Sequence, residues 1–272
     1  MKKNGLVLFC GILIFSFFAC NKNEEPIIAF TTTVGEFRVK LYKETPQHRD
    51  NFLKLVDEGY FNGLIFHKSI PHLLIETGDP NSKKASRNRI LGTGGPGYSI
   101  PSEINYPQFF HKKGVLTAGR LLGNDTETKA SSGSVFGIVS GKVYTSTALD
   151  TIELEAYQRK LDIAWQVLIA KNREKITAIS LRGDTERLKA FQDSLVLQAE
   201  KYMESEKLFL FTPEQRKAYT TVGGAPHLDN EHSIFGEIVS GIEIIDSIAA
   251  IPVDINARPM QDIRILSVKR IE

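Results

Sequence analysis

The stretch FHKSIPHLLIETGDP, residues 66–80, gathers His67, Lys68, His72, Glu76 and Asp79 in one short segment of extended character. Paired histidines raise the question of a metal. His67 and His72 are separated by an odd spacing, as are His227 and His232, and odd spacing in an extended chain puts side chains on opposite faces. Neither cysteine lies near them, which argues against a structural zinc site. GTGGPG, Gly92 to Gly97, has the G-x-G-x-x-G spacing, but Pro96, Tyr98 and SIPSEI follow where a dinucleotide site needs a helix N-terminus. Its glycines read instead as a loop turning tightly against a strand. SSGSVFG lacks the G-x-S-x-G spacing of a hydrolase elbow. What is left is a cation, Lys68, near an acid, Glu76, with Leu73 and Leu74 between them.

These residues must be held by the elements around them. In IAFTTTVGEFRVKLY (28–42), Phe37, Val39 and Leu41 alternate with Glu36, Arg38 and Lys40, and Val34-Gly35 marks a hairpin turn. Thr45 is then placed as an N-cap, Pro46 as the first helical residue, and Gly59 as the helix stop. Short strands between Gly, Pro and Asn turns run from 64 to 142. The texture changes at Leu154, Tyr157, Leu161, Ala164 and Leu168, which share a helical face; after a break near Gly183, Leu188, Phe191, Leu195 and Tyr202 repeat it. Thr212 and Gln215 form a capping box with Pro213 between them, and β texture returns at HSIFGEIVSG and IRILSVKRI.

The bulk numbers fit this outline. The chain of 272 residues has ample material for a core, and a net charge of +2 with scattered Lys and Arg gives no nucleic-acid surface to expect. At the N-terminus, Lys2 and Lys3 precede an apolar run from Leu6 to Ala19, short of the ~20 residues of a membrane span and suited to a signal peptide. The run ends in Phe-Phe-Ala-Cys, followed by polar NKNEEP, which resembles a bacterial lipoprotein signal with Cys20 as the lipidated residue. The same run would also serve an ordinary secretory peptide or an uncleaved anchor. If residues 1–19 are removed with Cys10 and Cys20 carries lipid, no free thiol remains for a disulfide, catalysis or zinc.

Taken together, GEFRVKLYKETPQHRDNFLKL, GYFNGLIFHKSIP, TGDP, GTGGPGYSIPSEI, HKKGVLTAG, SSGSVFGIV and PHLDNEHSIFGEIVSGIEIIDSI resemble the cyclophilin-type peptidyl-prolyl isomerases, in the family's order. PVDINARPMQDIRI and the helical insertion are similar to a bacterial lipoprotein branch of that family. The resemblance implies a mainly β fold: an eight-stranded antiparallel barrel capped by two helices, near 46–58 and 241–249, with an inserted helical hairpin. The organisation expected is a signal peptide at 1–19, a tether at 20–27, the barrel at 28–142 and 217–272, and the insertion at 143–216. It implies no cofactor and no metal, proline-containing polypeptides as clients, and a membrane tether through Cys20 in the bacterial envelope, on the periplasmic or the outer surface.

Rotation about an X-Pro bond faces a barrier of ~18–20 kcal/mol because amide resonance must be broken. The family holds the proline in an apolar pocket and stabilises the twisted amide with an arginine in Phe-His-Arg-x-x-Pro, a preorganised donor. Carried onto this chain, the resemblance makes Lys68 and His67 the catalytic pair. It assigns substrate contacts to Phe66, Leu73, Leu74, Glu76, Gly119, Val135, Phe136, Gly137, His227, Leu228 and His232. Lys68 stands where the family has arginine, Leu73 and Leu74 where it has Phe and Met, Glu76 and Val135 where it has Gln, and Gly137 where it has the second Phe of GSQFF. Lysine lacks the planar fork of arginine, and Glu76 could pair with it. Two readings follow: an isomerase, or a groove that binds proline-containing or unfolded chains without turnover. A third makes the insertion, with Trp165 and its apolar stripe, the main functional surface.

Overall fold

The computed structural model describes residues 25–120, 128–205 and 209–271; the signal segment and Cys20 lie outside them. β1 (Ile27–Thr32) and β2 (Gly35–Leu41) form the expected hairpin, with Ile27 opposite Lys40 and Thr32 opposite Gly35. The apolar side of the alternation, Phe37, Val39 and Leu41, is buried, as strand geometry requires. Seven further strands follow: β3 (Lys68–Ile70), β4 (Leu74–Thr77), β5 (Ser99–Ile100), β6 (Val115–Arg120), β7 (Ser131–Val139), β8 (Ile234–Ser240) and β9 (Ile265–Arg270).

Eight of them run antiparallel in the order β3-β4-β7-β6-β8-β2-β1-β9, with the two-residue β5 paired to β7. The sheet curls until its ends meet. Gly63 N–H donates to Ile265 O, Ile265 N–H to Leu64 O, and Phe66 N–H to Ile263 O, so the segment entering β3 pairs with the segment entering β9. Inside the barrel lies an aromatic core: Phe30 stacks on Phe37 at 4.7 Å between ring centroids, and Phe52 meets Phe136 edge-on at 5.3 Å. Its ends are covered by α1 (Pro46–Asp57) and α6 (Ile242–Ala249), as the sequence leads one to expect. Phe52 and Leu55 of α1 and Ile245 and Ile248 of α6 point into that core.

The start of α1 departs from expectation. Thr45 occupies the N-cap position, but its side chain makes no capping bond and its Oγ1 is buried without a partner among the described residues. The orphan donors go to a carboxylate from far along the chain: Glu103 accepts from the N–H groups of Gln47 (3.0 Å) and His48 (2.9 Å), and from His48 Nδ1 at 2.6 Å. Burial works to raise the Glu103 pKa; these donors outweigh it and hold the carboxyl below its usual range. Gly59 ends the helix as expected, in the left-handed region at φ +64°.

Between β7 and β8 lie α2 (Ser146–Lys171), α3 (Arg173–Leu181), α4 (Thr185–Ser205) and α5 (Pro213–Thr221). α2 and α4 are the arms of the expected hairpin, and Gly183, φ +70°, makes the break before α4. A second break at Asn172 creates α3; the Asn172 amide donates to Leu168 O at 2.9 Å and ends α2. The capping box of α5 forms as read, with Thr212 Oγ1 accepting from Gln215 N–H and Gln215 Oε1 from Thr212 N–H. Phe110, Leu149, Phe211 and Tyr219 pack together, joining the first turn of α2 and α5 to the barrel.

Candidate active site

β3 and β4 place Lys68 directly opposite Glu76. The cross-strand ion pair that this register invites does not form. The Glu76 carboxylate turns to His67 instead and accepts from Nε2 at 3.0 Å, leaving His67 Nδ1 buried and without a partner among the described residues. Lys68 has no ion-pair partner among the described residues. The separation is supported by Gly92, φ +101°: a side chain there would start 3.1 Å from His67 Nε2 and 3.4 Å from Glu76 Oε1. Gly92 is positioned in turn by Asp79, whose Oδ2 accepts from the N–H groups of Gly92 (2.7 Å) and Gly94 (3.2 Å) while Oδ1 accepts from Asn81 N–H at 2.8 Å. Burial pushes Asp79 up, but these backbone donors prevail and its pKa is lowered. GTGGPG is thus a loop wrapped on a carboxylate, and it leads to β5 rather than to a helix.

His67, Lys68, Glu76, Val135 and His232 open on one depression of about 370 Å³. Val135 stands against Gly119: a Cβ on Gly119 would lie 2.8 Å from Val135 Cγ1, so only glycine lets β6 approach there. His232 Nδ1 donates to Ala118 O at 3.2 Å, which leaves Nε2 as a bare acceptor. Burial, then the neighbouring His111, depress its pKa, so it is neutral at neutral pH. Behind it His111 is locked between Asp229 (3.0 Å) and Thr117 (3.1 Å), and Tyr219 of α5 donates to Asp229 at 2.7 Å.

A second group forms an apolar surface. Leu73 and Leu228 pack on the cluster of Val115, Val139 and Ala225. Leu74 lies over Gly137, its methyls 3.2 and 3.3 Å from where a Cβ on Gly137 would begin. His227 is exposed at the edge of this region. Two expected contacts are elsewhere. Phe66 and Phe136 are buried within the barrel core, Phe136 among Phe30, Phe52, Phe61 and Phe235. The cause is strand period: Phe136 lies between Val135 and Gly137 and faces the opposite side.

The sequence model described as "Cyclophilin type peptidyl-prolyl cis-trans isomerase/CLD" matches residues 27–155 and 215–270. The chain belongs to the cyclophilin-type peptidyl-prolyl isomerase family. Over 251 residues it is 26% identical to a putative bifunctional phosphatase/peptidyl-prolyl cis-trans isomerase of Streptococcus pyogenes, covering 90% of this chain and 38% of that protein. It is 36% identical over 94 residues to a peptidyl-prolyl cis-trans isomerase of Synechococcus elongatus, covering 34% of this chain and 59% of the other. It is also 40% identical over 66 residues to peptidyl-prolyl cis-trans isomerase-like 1 of Aspergillus oryzae, covering 24% of this chain and 41% of that one. The chain thus spans less than half the length of the Streptococcus and Aspergillus relatives. A crystal structure of a Cryptosporidium parvum cyclophilin-type isomerase superposes with a TM-score of 0.54 at 18% identity, over 92% of this chain and 99% of that one.

On this cyclophilin fold the depression has a cationic wall that motif reading missed. Arg87 and Arg89 come from the loop before Gly92, Arg120 from the end of β6, and Asp254, Asn256 and Arg258 from the PVDINARP segment. Buried Arg258 ties the wall together, with Nε and Nη2 on the Asp262 carboxylate at 3.0 and 2.8 Å and Nη1 on Ser86 O at 2.8 Å. Arg87 shares Asp262 at 2.9 Å. Ser69 N–H donates to Ala257 O, which fixes the segment beside Lys68. GTGGPG was the one local signal, since a glycine loop against a strand announces close backbone approach.

Proposed function

We propose that this chain is a peptidyl-prolyl cis-trans isomerase of the bacterial cell envelope, tethered by lipid on Cys20 and assisting the folding of proline-containing clients. One observation carries the reading: Glu76 is occupied by His67, so the Lys68 ammonium is unpaired among the described residues and available to a substrate. A proline ring would lie on Leu73, Leu74 and Leu228, with Lys68 donating to the amide as its nitrogen loses resonance. The twisted amide accepts a hydrogen bond better than the planar one, so this donor favours the transition state over the ground state. A lone ammonium offers less than a guanidinium fork, which sets a modest rate.

The test is the cis-to-trans rate of a labelled proline peptide with lipid-free protein from residue 21 onward. Lys68→Ala is expected to lower kcat/KM by about 10²-fold and Lys68→Arg to raise it, by the cost of one preorganised donor. Unchanged catalysis in Lys68→Ala would overturn the role of Lys68. No acceleration by the native protein, with a gain in Lys68→Arg, would establish the other reading, a groove that binds chains without turnover. That reading is favoured by Leu74 filling the space over Gly137 and by Val135 at the rim. Loss of lipid labelling and of envelope fractionation in Cys20→Ala tests the tether.

A further inference from the structure

We infer that the groove selects clients carrying a carboxylate beside the proline, and that Arg120 reads it. The inference rests on the proposed groove being the client site. The depression is lined by five cationic side chains and two carboxylates. The two carboxylates are already engaged: Glu76 accepts from His67, and Asp254 faces Arg87 at 3.9 Å while accepting the N–H groups of Asn256 (2.9 Å) and Arg258 (3.0 Å). Two of the cations, Arg87 and Arg258, spend their donors on Asp262 and backbone carbonyls of the wall. Lys68, Arg89 and Arg120 are left facing the groove.

Arg120 is the one that is built for a ligand. Its Nη1 reaches Glu231 only at 3.5 Å, and its Nη2 is buried with no hydrogen-bond partner among the described residues. A buried guanidinium nitrogen without an acceptor is costly, and an incoming carboxylate would satisfy it in the planar geometry that arginine favours. Glu231 meets Arg120 only through Oε2 on Nη1, its Oε1 being taken by Lys129 at 3.0 Å, so Nη2 keeps no acceptor among the described residues. Arg120 lines the depression just past an irregularity in the β6–β7 register, where residues 132–135 of β7 stand opposite Gly119 alone.

The experiment uses two sets of proline peptides, with Glu, Gln or Lys immediately before or immediately after the proline. kcat/KM is measured at low and at high ionic strength, and Kd by fluorescence anisotropy on the same peptides. In at least one set the Glu peptide is expected to exceed the Lys peptide by about ten-fold or more at low salt, the ratio shrinking as salt screens the groove. In Arg120→Gln the Glu-to-Gln ratio falls toward one, whatever happens to the absolute rate; Arg89→Gln reduces it less. Equal values for Glu and Lys peptides in both sets, or a ratio untouched in Arg120→Gln, would overturn the inference. If no peptide is turned over, the isomerase reading fails on its own, and the Kd ratios still decide this one.

Discussion

His67 acts on Lys68 through a third residue. By holding Glu76 it keeps the cross-strand partner of Lys68 occupied. In His67→Ala the carboxylate is free to close the ion pair that the register invites, and kcat/KM is expected to fall about ten-fold, the scale of a lost charge-assisted bond. His67→Ala/Glu76→Gln recovers most of that loss, a coupling that a merely structural His67 would not show. At this scale the sequence was legible where strand period alone decides, as in Phe37, Val39 and Leu41. It misled at Phe66 and Phe136, where nearness in a motif was taken for nearness in space and alternation turned both rings inward. Arg120 was not legible, since it lies just past a register irregularity between β6 and β7, and such an irregularity leaves no mark on the hydrophobic pattern.

At the scale of elements, α1 depends on a distant carboxylate. Glu103→Gln keeps an acceptor but loses the charge, and is expected to cost about 1 kcal/mol at neutral pH, the usual worth of a cap. The Glu103 pKa is lower folded than unfolded, so its stabilisation is present above the unfolded value of roughly 4.3. It is lost as pH falls through the depressed folded value. Urea melts of native protein and Glu103→Gln should therefore differ at pH 7 and converge in acid; a gap that stayed constant would assign the effect to shape. The sequence placed α1 correctly from Thr45, Pro46 and Gly59 but not the group that accepts its first N–H donors, because Glu103 is brought from the loop before β6 by the fold itself. At α5 the cap is local, and there Thr212 and Gln215 were sufficient. Thr212→Ala should accordingly cost about 1 kcal/mol in a thermal melt.

For the whole molecule, the cluster of Phe110, Leu149, Phe211 and Tyr219 divides the insertion. The start of α2 and all of α5 are anchored to the barrel, where Glu153 accepts from Phe211 N–H at 2.7 Å and pairs with Arg216 at 2.6 Å. Replacing residues 158–208 by a short linker is expected to leave the barrel folded, with a cooperative melt and unchanged turnover of short peptides. Tyr219→Phe, which strips a donor from buried Asp229, should cost about 2 kcal/mol. A deletion that destroyed the melt would show the arms to be part of the core. The insertion was legible from its helical period; its seam with the barrel was not, because that seam consists of contacts between residues far apart in sequence.

The closure of the barrel has a consequence in time. β9 pairs with β1, and its leading segment seals the ring against residues 63–66, while Ala257 fixes the wall beside Lys68. A chain without residues 252–271 has neither a closed ring nor a finished groove. Loops spanning this much of the chain close late and slowly. The groove is therefore among the last parts of the fold to form, and a version truncated before residue 252 is expected to show no cooperative thermal melt.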